Sequence, residues 1–475
     1  MKSDDVDIER DRSRQAPRGR RALAIALTAM SCAACGHTRT SSGLEENPHG
    51  VAWSEPRQVA SGEARRGPWR MNESDYRWVD DPAADVDSAG EIAVVWADQS
   101  RKDVFFQRYG RDGEARLPAP VDVSRSPATF SWLPRVVMSD GGASGRVYVL
   151  WQEIIFSGGS HGGEILFARS VDGGRTFAEP VNLSNSMAGD GKGRLDADTW
   201  DNGSLDLARG PGGELYAAWT EYEGALWLRR SADDGETFGE PRRIGADIAR
   251  TPSIRAGGRA SAPAARGPSL AVSPRGTVYL AWAAVDGPSA DIAVARSDDG
   301  GRTFSRLETL SEGGGHSDAP HIAVDRGGTV HLVFAESPAG RGGPYHVRYA
   351  RLREGAGAFE ASRRLSPGPE DARFPEIAAD AQGRVYVVWK RFLDPRGRPQ
   401  GLAFTYSRDG GDRFEPASLI PGISPRGFDG SQQGLLTNKL AVNGAGVIAV
   451  ANSTFQPNEA SHVWLVVGEV ASAEP

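Results

Sequence analysis

Two positions recur along this chain at fixed distances from repeated landmarks, and together they collect its most reactive side chains. Two residues before a recurring proline stand Asp80, Trp132, Arg266, Asp318 and Arg373; two residues after a recurring aromatic stand Asp98, Glu153, Glu221, Ala284, Glu336 and Arg391. If the repeats converge, six carboxylates and three guanidiniums share one mouth. Such a set can hydrogen-bond a polyhydroxylated ligand and grip a carboxylate with planar guanidinium forks. The competing use of the same residues is as ion pairs that tie one repeat to the next. Trp132 and Trp200 lie on the same connecting segments, where an indole stacks on a sugar ring or packs between sheets. Tyr222 stands between Glu221 and Glu223, although neighbours on an extended chain point to opposite sides. His316 and His321 flank Asp318 without a third ligand at metal spacing, so no zinc is expected. The oxygen-rich run from Asp196 to Asn202 reads as a solvated acidic loop rather than a calcium site. No cofactor and no metal is expected.

The landmarks define a repeat. An apolar run ends in an aromatic at Trp96, Trp151, Trp219, Trp282, Phe334 and Trp389, at spacings of 55, 68, 63, 52 and 55 residues. Nine residues earlier stands a turn residue, Asp87, Gly210, Ser273, Asp325 or Asp380, with Asp140 at eleven in the second unit. Five residues before the turn come Pro82, Pro268, Pro320 and Pro375, with Pro134 at the same distance from Ser139. Each unit reads as four short antiparallel strands, the pattern of a propeller blade. A seventh unit, from Asn438 to Val467, lacks its fourth strand, and the segment Trp53–Val59 matches the missing piece. The reading is therefore an all-β, seven-bladed propeller of four-stranded antiparallel blades, closed by an N-terminal strand that removes two exposed sheet edges. Six blades is the alternative if the first or last unit is incomplete.

Composition agrees and narrows the function. Gly 59 and Pro 30 favour many tight turns, while 25% charged and 39% hydrophobic residues describe a soluble globular chain. Lys and Arg number 55 against 62 acidic residues, with no basic run in the body, so nucleic acid is excluded as a partner. Arg18, Arg20 and Arg21 precede an apolar stretch from Ala22 to Met30, then small residues around Cys32 and Cys35. Nine residues are too few to cross a bilayer and suit a signal segment. The expected organisation is a signal peptide at 1–35, a flexible linker at 36–49 and the propeller at 50–471. The end of the signal resembles a bacterial lipobox, which implies lipidation at Cys32 or Cys35 and a membrane contact through that anchor alone. The only two cysteines lie there, so no disulfide staples the fold.

The turn between the third and fourth strands carries a motif: Ser170, Asp172, Gly174, Thr176 and Phe177; Ser231, Asp233, Gly235, Thr237 and Phe238; Ser297, Asp299, Gly301, Thr303 and Phe304. A fourth copy has Ser407, Asp409, Gly411 and Phe414, with Arg413 in the threonine position. Locally, an aspartate accepts backbone N–H bonds, glycine supplies positive φ and hydroxyls satisfy their neighbours. These strings resemble the Asp-box, or BNR repeat, of the sialidase superfamily, over residues 130–420 and, through the weaker repeat, 50–470. The resemblance implies a sialidase-like propeller in which these turns are structural and lie opposite the binding mouth. It also implies what an active member needs: three arginines on the substrate carboxylate, a Tyr–Glu pair and an Asp acid/base. The family's opening F-R-I-P string is absent, Arg373-Phe374-Pro375 stands in the sixth unit, and the late-chain tyrosine has no counterpart in Asn452–Phe455.

The expectation is thus an exported, monomeric, lipid-anchored propeller at the cell envelope, or free in the periplasm or outside the cell, that binds a glycan or a surface protein. The alternative is an exo-acting sialidase. The ligand candidates are Arg266, Arg373, Arg391, Asp80, Asp98, Glu153, Glu221, Asp318, Glu336, Tyr222 and Trp200, with no catalytic residue assigned.

Overall fold

Each apolar run becomes the second strand of an antiparallel sheet, hydrogen-bonded on both sides and buried on both faces, as along Val147–Glu153. The computed structural model describes residues 50–470 apart from 69, 71, 155–162, 185–192, 195–199, 202–204, 221–224, 245–252, 255–259, 262–263, 287–288, 311–314, 395–396, 423–427 and 430–437. The signal segment and linker expected over 1–49, with Cys32 and Cys35, lie outside the described residues. No helix among the described residues is long and apolar enough to cross a membrane.

The chain is an all-β propeller of four-stranded antiparallel blades. The first unit forms one sheet from Val79–Val86, Ile92–Asp98, Asp103–Tyr109 and Val121–Asp122. The second, third and sixth units form their own four-stranded sheets. The fourth and fifth units merge into one eight-stranded sheet through a single parallel pairing, Ala290 with His316. The remaining large sheet has six strands drawn from both chain ends. The expected ring of seven separate, alike blades, or of six, is therefore corrected to a five-bladed propeller: among the described residues, five large sheets are each contiguous in sequence, and a composite sheet joins the ends. The physical reason is that the third strand of unit four, Ser289–Ser297, meets the first strand of unit five, His316–Val324, so two units share one ladder.

The composite sheet closes the fold. Val51–Trp53 pairs with the last strand, Trp53 opposite Gly468, and Arg57–Gly62 continues along it with Gln58 opposite Trp464. Trp53 meets the Phe404 ring edge-on at 5.1 Å. Successive units share apolar cores, and the last shares one with the first through Val86, Ala441 and Val463.

The Ser-x-Asp turns are built alike. Ser170 Oγ donates to Asp172 Oδ1 at 2.7 Å and accepts from Gly174 N at 2.9 Å; Thr176 donates to Asp172 through both its backbone N–H and its hydroxyl. The copies at Asp233 and Asp299 repeat this; at Asp409 the Ser407 and Gly411 bonds and the backbone N–H of Arg413 are kept, and the threonine hydroxyl bond is lost. The Thr237 hydroxyl and N–H, with Ser231, hold Asp233 down at about 2. The glycine has a second reason. At Gly174 (φ +84) a Cβ would sit 2.0 Å from the Phe106 ring of the preceding blade, and Gly411 (φ +83) stands equally tight against Tyr349. These turns wedge one blade against the previous one, which is a structural role.

Candidate functional site

The recurring proline does not simply start a strand. The residue before it is left-handed in five units: Asp81 (φ 54), Leu133 (φ 55), Gly267 (φ 59), Ala319 (φ 49) and Phe374 (φ 53). In each of those units the first strand slips register at that point, between Asp80 and Ala83, for example, or between Arg373 and Glu376. A pre-proline residue is sterically biased to extended backbone, so each non-glycine case stores about 1–3 kcal/mol. The bulge breaks the ladder where the candidate residues stand, at the end of the strands opposite the Ser-x-Asp turns.

Units four, five and six bring one group of these residues together. Arg266 is ion-paired with Asp318 across the unit boundary, and Asp318 Oδ1 accepts from Ala319 N at 2.7 Å. Arg373 pairs with Asp371 and stands over two rings, its guanidinium carbon 4.8 Å from the centres of both Tyr345 and Phe392. Asp371 also accepts from Tyr345 N at 2.8 Å. The Tyr345 hydroxyl lies 3.0 Å from His316 Nδ1. Burial, reinforced by Asp318, pushes the tyrosine up to about 12 against the pull of Arg373, Arg266 and Arg341. Burial also lowers His316, with Asp318 acting against it and Arg266 and Arg341 acting with it. Three guanidiniums, two carboxylates, a phenol and an imidazole thus occupy one neighbourhood, with the Arg373 side chain 24% and the Asp318 side chain 19% exposed. A neutral imidazole beside a phenol is a proton-transfer pair, and a guanidinium presents five N–H donors in a planar fork.

The other candidates divide. Arg391 is buried and forked onto Glu370 at 2.9 Å through two nitrogens. Glu336 is buried beside Arg348 at 3.4 Å. Glu153 is fully buried, accepting from Thr129, Ser131 and Trp151, and Asp80 is buried on Ser453. Asp98 accepts from Ser100 N at 2.9 Å and organises its own turn. The expectation that these residues line an open cup is corrected: most are withdrawn from solvent because each found a partner in its own or a neighbouring unit. Trp132 is likewise fully buried, edge-on to Trp78 at 6.2 Å, and offers no platform to a sugar. The Trp200 backbone pairs with Arg194 in a short ribbon. Glu221, Tyr222 and the run 195–199 lie outside the described residues.

Sequence reasoning missed Tyr345 as a partner of His316, and it missed Asp371. The signal for Asp371 was present, since it stands two residues before Arg373 on one strand and so shares its face. For Tyr345 no signal existed, because 29 residues and a strand pairing separate it from His316. A second hidden group stands one residue after the proline position. The side chain of one unit accepts a backbone N–H of the next: Asp206 from Leu270, Ser269 from Ile322, and Glu376 from Leu440. Buried beside this ring, Asp81 is pushed up to about 7 by burial and by Asp80, against the Leu133 N–H, Lys439 and Arg135.

No protein-family model matches the sequence, and no curated protein matches it. Among solved structures the chain is similar to a PL25 ulvan lyase, described as a polysaccharide lyase of a new family: 13% identity over 86% of this chain and 96% of that one, TM-score 0.53. The same lyase bound to -[GlcA(1-4)Rha3S]- matches over 85% and 96%, at 13% identity and TM-score 0.53. The similarity is one of fold. A sialidase, Hz136 from a Hadza microbial source, aligns over 80% of this chain and 74% of its own at 15% identity and TM-score 0.43, too distant to carry an argument.

Proposed function

We propose that this chain is an exported propeller, lipid-anchored at Cys32 or Cys35, that binds an acidic glycan at the mouth formed by units four to six. One observation carries this reading: Arg373 stands against both Tyr345 and Phe392 with its side chain 24% exposed, near a second guanidinium, Arg266. Contact with two rings restrains the guanidinium, so a sugar carboxylate meets donors part of whose ordering cost is already met. The propeller fold of a lyase whose described ligand contains glucuronate supports a glycan as the ligand class.

The pairing of Tyr345 with His316 favours a second reading, a glycan-cleaving enzyme, with an exo-acting sialidase as its first form. The tyrosine's partner here is a histidine and not the glutamate that a sialidase needs, which is why binding is preferred. Titrating the full chain with glucuronate- and sialate-bearing oligosaccharides tests both. Binding weakened about tenfold or more in Arg373→Ala, with no product formed, supports the binding reading. Turnover of a fluorogenic sialoside that is lost in Tyr345→Phe replaces it with the enzyme, and unchanged affinity in Arg373→Ala removes the mouth from either.

A further inference from the structure

The strands that carry the mouth at one end carry a second cavity at the other. Between units four and five, the turns after Val272 and Val324 and the strand end at Leu352 enclose about 530 Å³. Nine residues of Ala264–Val272 span about 30 Å, which separates this cavity from the proposed glycan mouth.

Its walls hold four guanidiniums, Arg275, Arg296, Arg326 and Arg353, against two carboxylates, Asp298 and Glu354. The two carboxylates are taken. Asp298 accepts from Arg296 through Nε at 3.1 Å and Nη2 at 2.6 Å, and Glu354 pairs with Arg275. Arg353 is anchored from behind by Glu360 at 2.8 Å and Asp412 at 3.1 Å. Arg326 is exposed and, among the described residues, makes no ion pair. The site therefore has an excess of positive charge, and the acids within it orient arginines instead of binding a cation. Its volume falls within the roughly 300–1,000 Å³ of small-ligand sites.

We infer that this cavity is a second binding site, independent of the mouth, for a small ligand bearing oxyanion groups (carboxylate, sulfate or phosphate), held by the free Arg326 fork and the oriented Arg275 and Arg296. A carboxylate, sulfate or phosphate accepts two parallel N–H bonds from one guanidinium, and an arginine without a partner loses no existing bond when it provides them.

Calorimetric titration of the full chain with glucuronate, inorganic sulfate and inorganic phosphate distinguishes the sources. Saturable binding of at least one probe is expected, with a component weakened about tenfold in Arg326→Ala, partly weakened in Arg326→Lys, which keeps the charge without the fork, and unchanged in Arg373→Ala. Arg326 is exposed and makes no ion pair among the described residues, so its removal is expected to leave the fold intact. Absence of binding by all three probes, equal affinity in Arg326→Ala, or loss of the Arg326-dependent component in Arg373→Ala overturns the inference. Because Arg373 belongs to the mouth, failure of the mouth reading and failure of this one give different results.

Discussion

The Tyr345 hydroxyl lies 3.0 Å from His316 Nδ1, joining the third strand of unit five to the start of its first. Burial lowers the histidine's pKa and so favours its neutral form beside the phenol. A lowered folded-state value means the unfolded chain binds the proton more readily. This contribution to stability is complete above about pH 6.5, the unperturbed value, and is lost as pH falls through the folded value. Urea midpoints of the native chain between pH 8 and pH 5 are expected to fall more steeply than those of His316→Gln, with a difference of about 1 kcal/mol. Parallel curves would remove the histidine from the balance.

Asp81 acts in the opposite direction. Its folded value is raised to about 7, so it is stabilising in the protonated form and costs stability as pH rises from about 4 through 7. Asp81→Asn keeps an oxygen for the Leu133 N–H, drops the charge and tolerates the left-handed backbone at φ 54. The variant is expected to be more stable than the native chain at pH 8 by about 1 kcal/mol or more, and close to equal at pH 4. Equal stability at both pH values would show that the carboxylate is not buried in charged form.

The Ser-x-Asp turns make a packing prediction that a conformational account does not. Gly174→Ala and Gly340→Ala both place alanine at a φ near +85, yet only at Gly174 would the new methyl meet a ring, 2.0 Å from Phe106. Gly340→Ala is expected to cost about 1–2 kcal/mol, the left-handed penalty alone. Gly174→Ala adds overpacking of about 1–3 kcal/mol. Thermal unfolding of the two variants checks this, and matching losses would mean that the blades do not wedge there.

Much of the architecture was legible because it repeats. The aromatic that ends each apolar run and the Ser-x-Asp turn are local features, set by burial of one strand and by hydrogen bonds within eight residues. Closure by Trp53 was legible for the same reason, since the N-terminal segment carries a fourth-strand pattern that another unit displays in full. The sheet count was not, because merging units four and five depends on one pairing, Ala290 with His316, that no periodicity encodes.

What the order of residues determined by itself is the unit: where each strand begins, which aromatic fills each inter-blade core, and which turn needs glycine. Those follow from interactions between residues close in the chain. The tertiary structure alone decided which charges meet. Arg266 chose Asp318, Arg391 chose Glu370, and Tyr345 found His316 across the ladders. Electrostatic partnership is set by distance and burial in three dimensions, and a repeat that places like positions in a ring does not say which neighbour will neutralise which. For that reason a sequence-level ring of candidate ligands became a set of buried pairs with one exposed arginine edge.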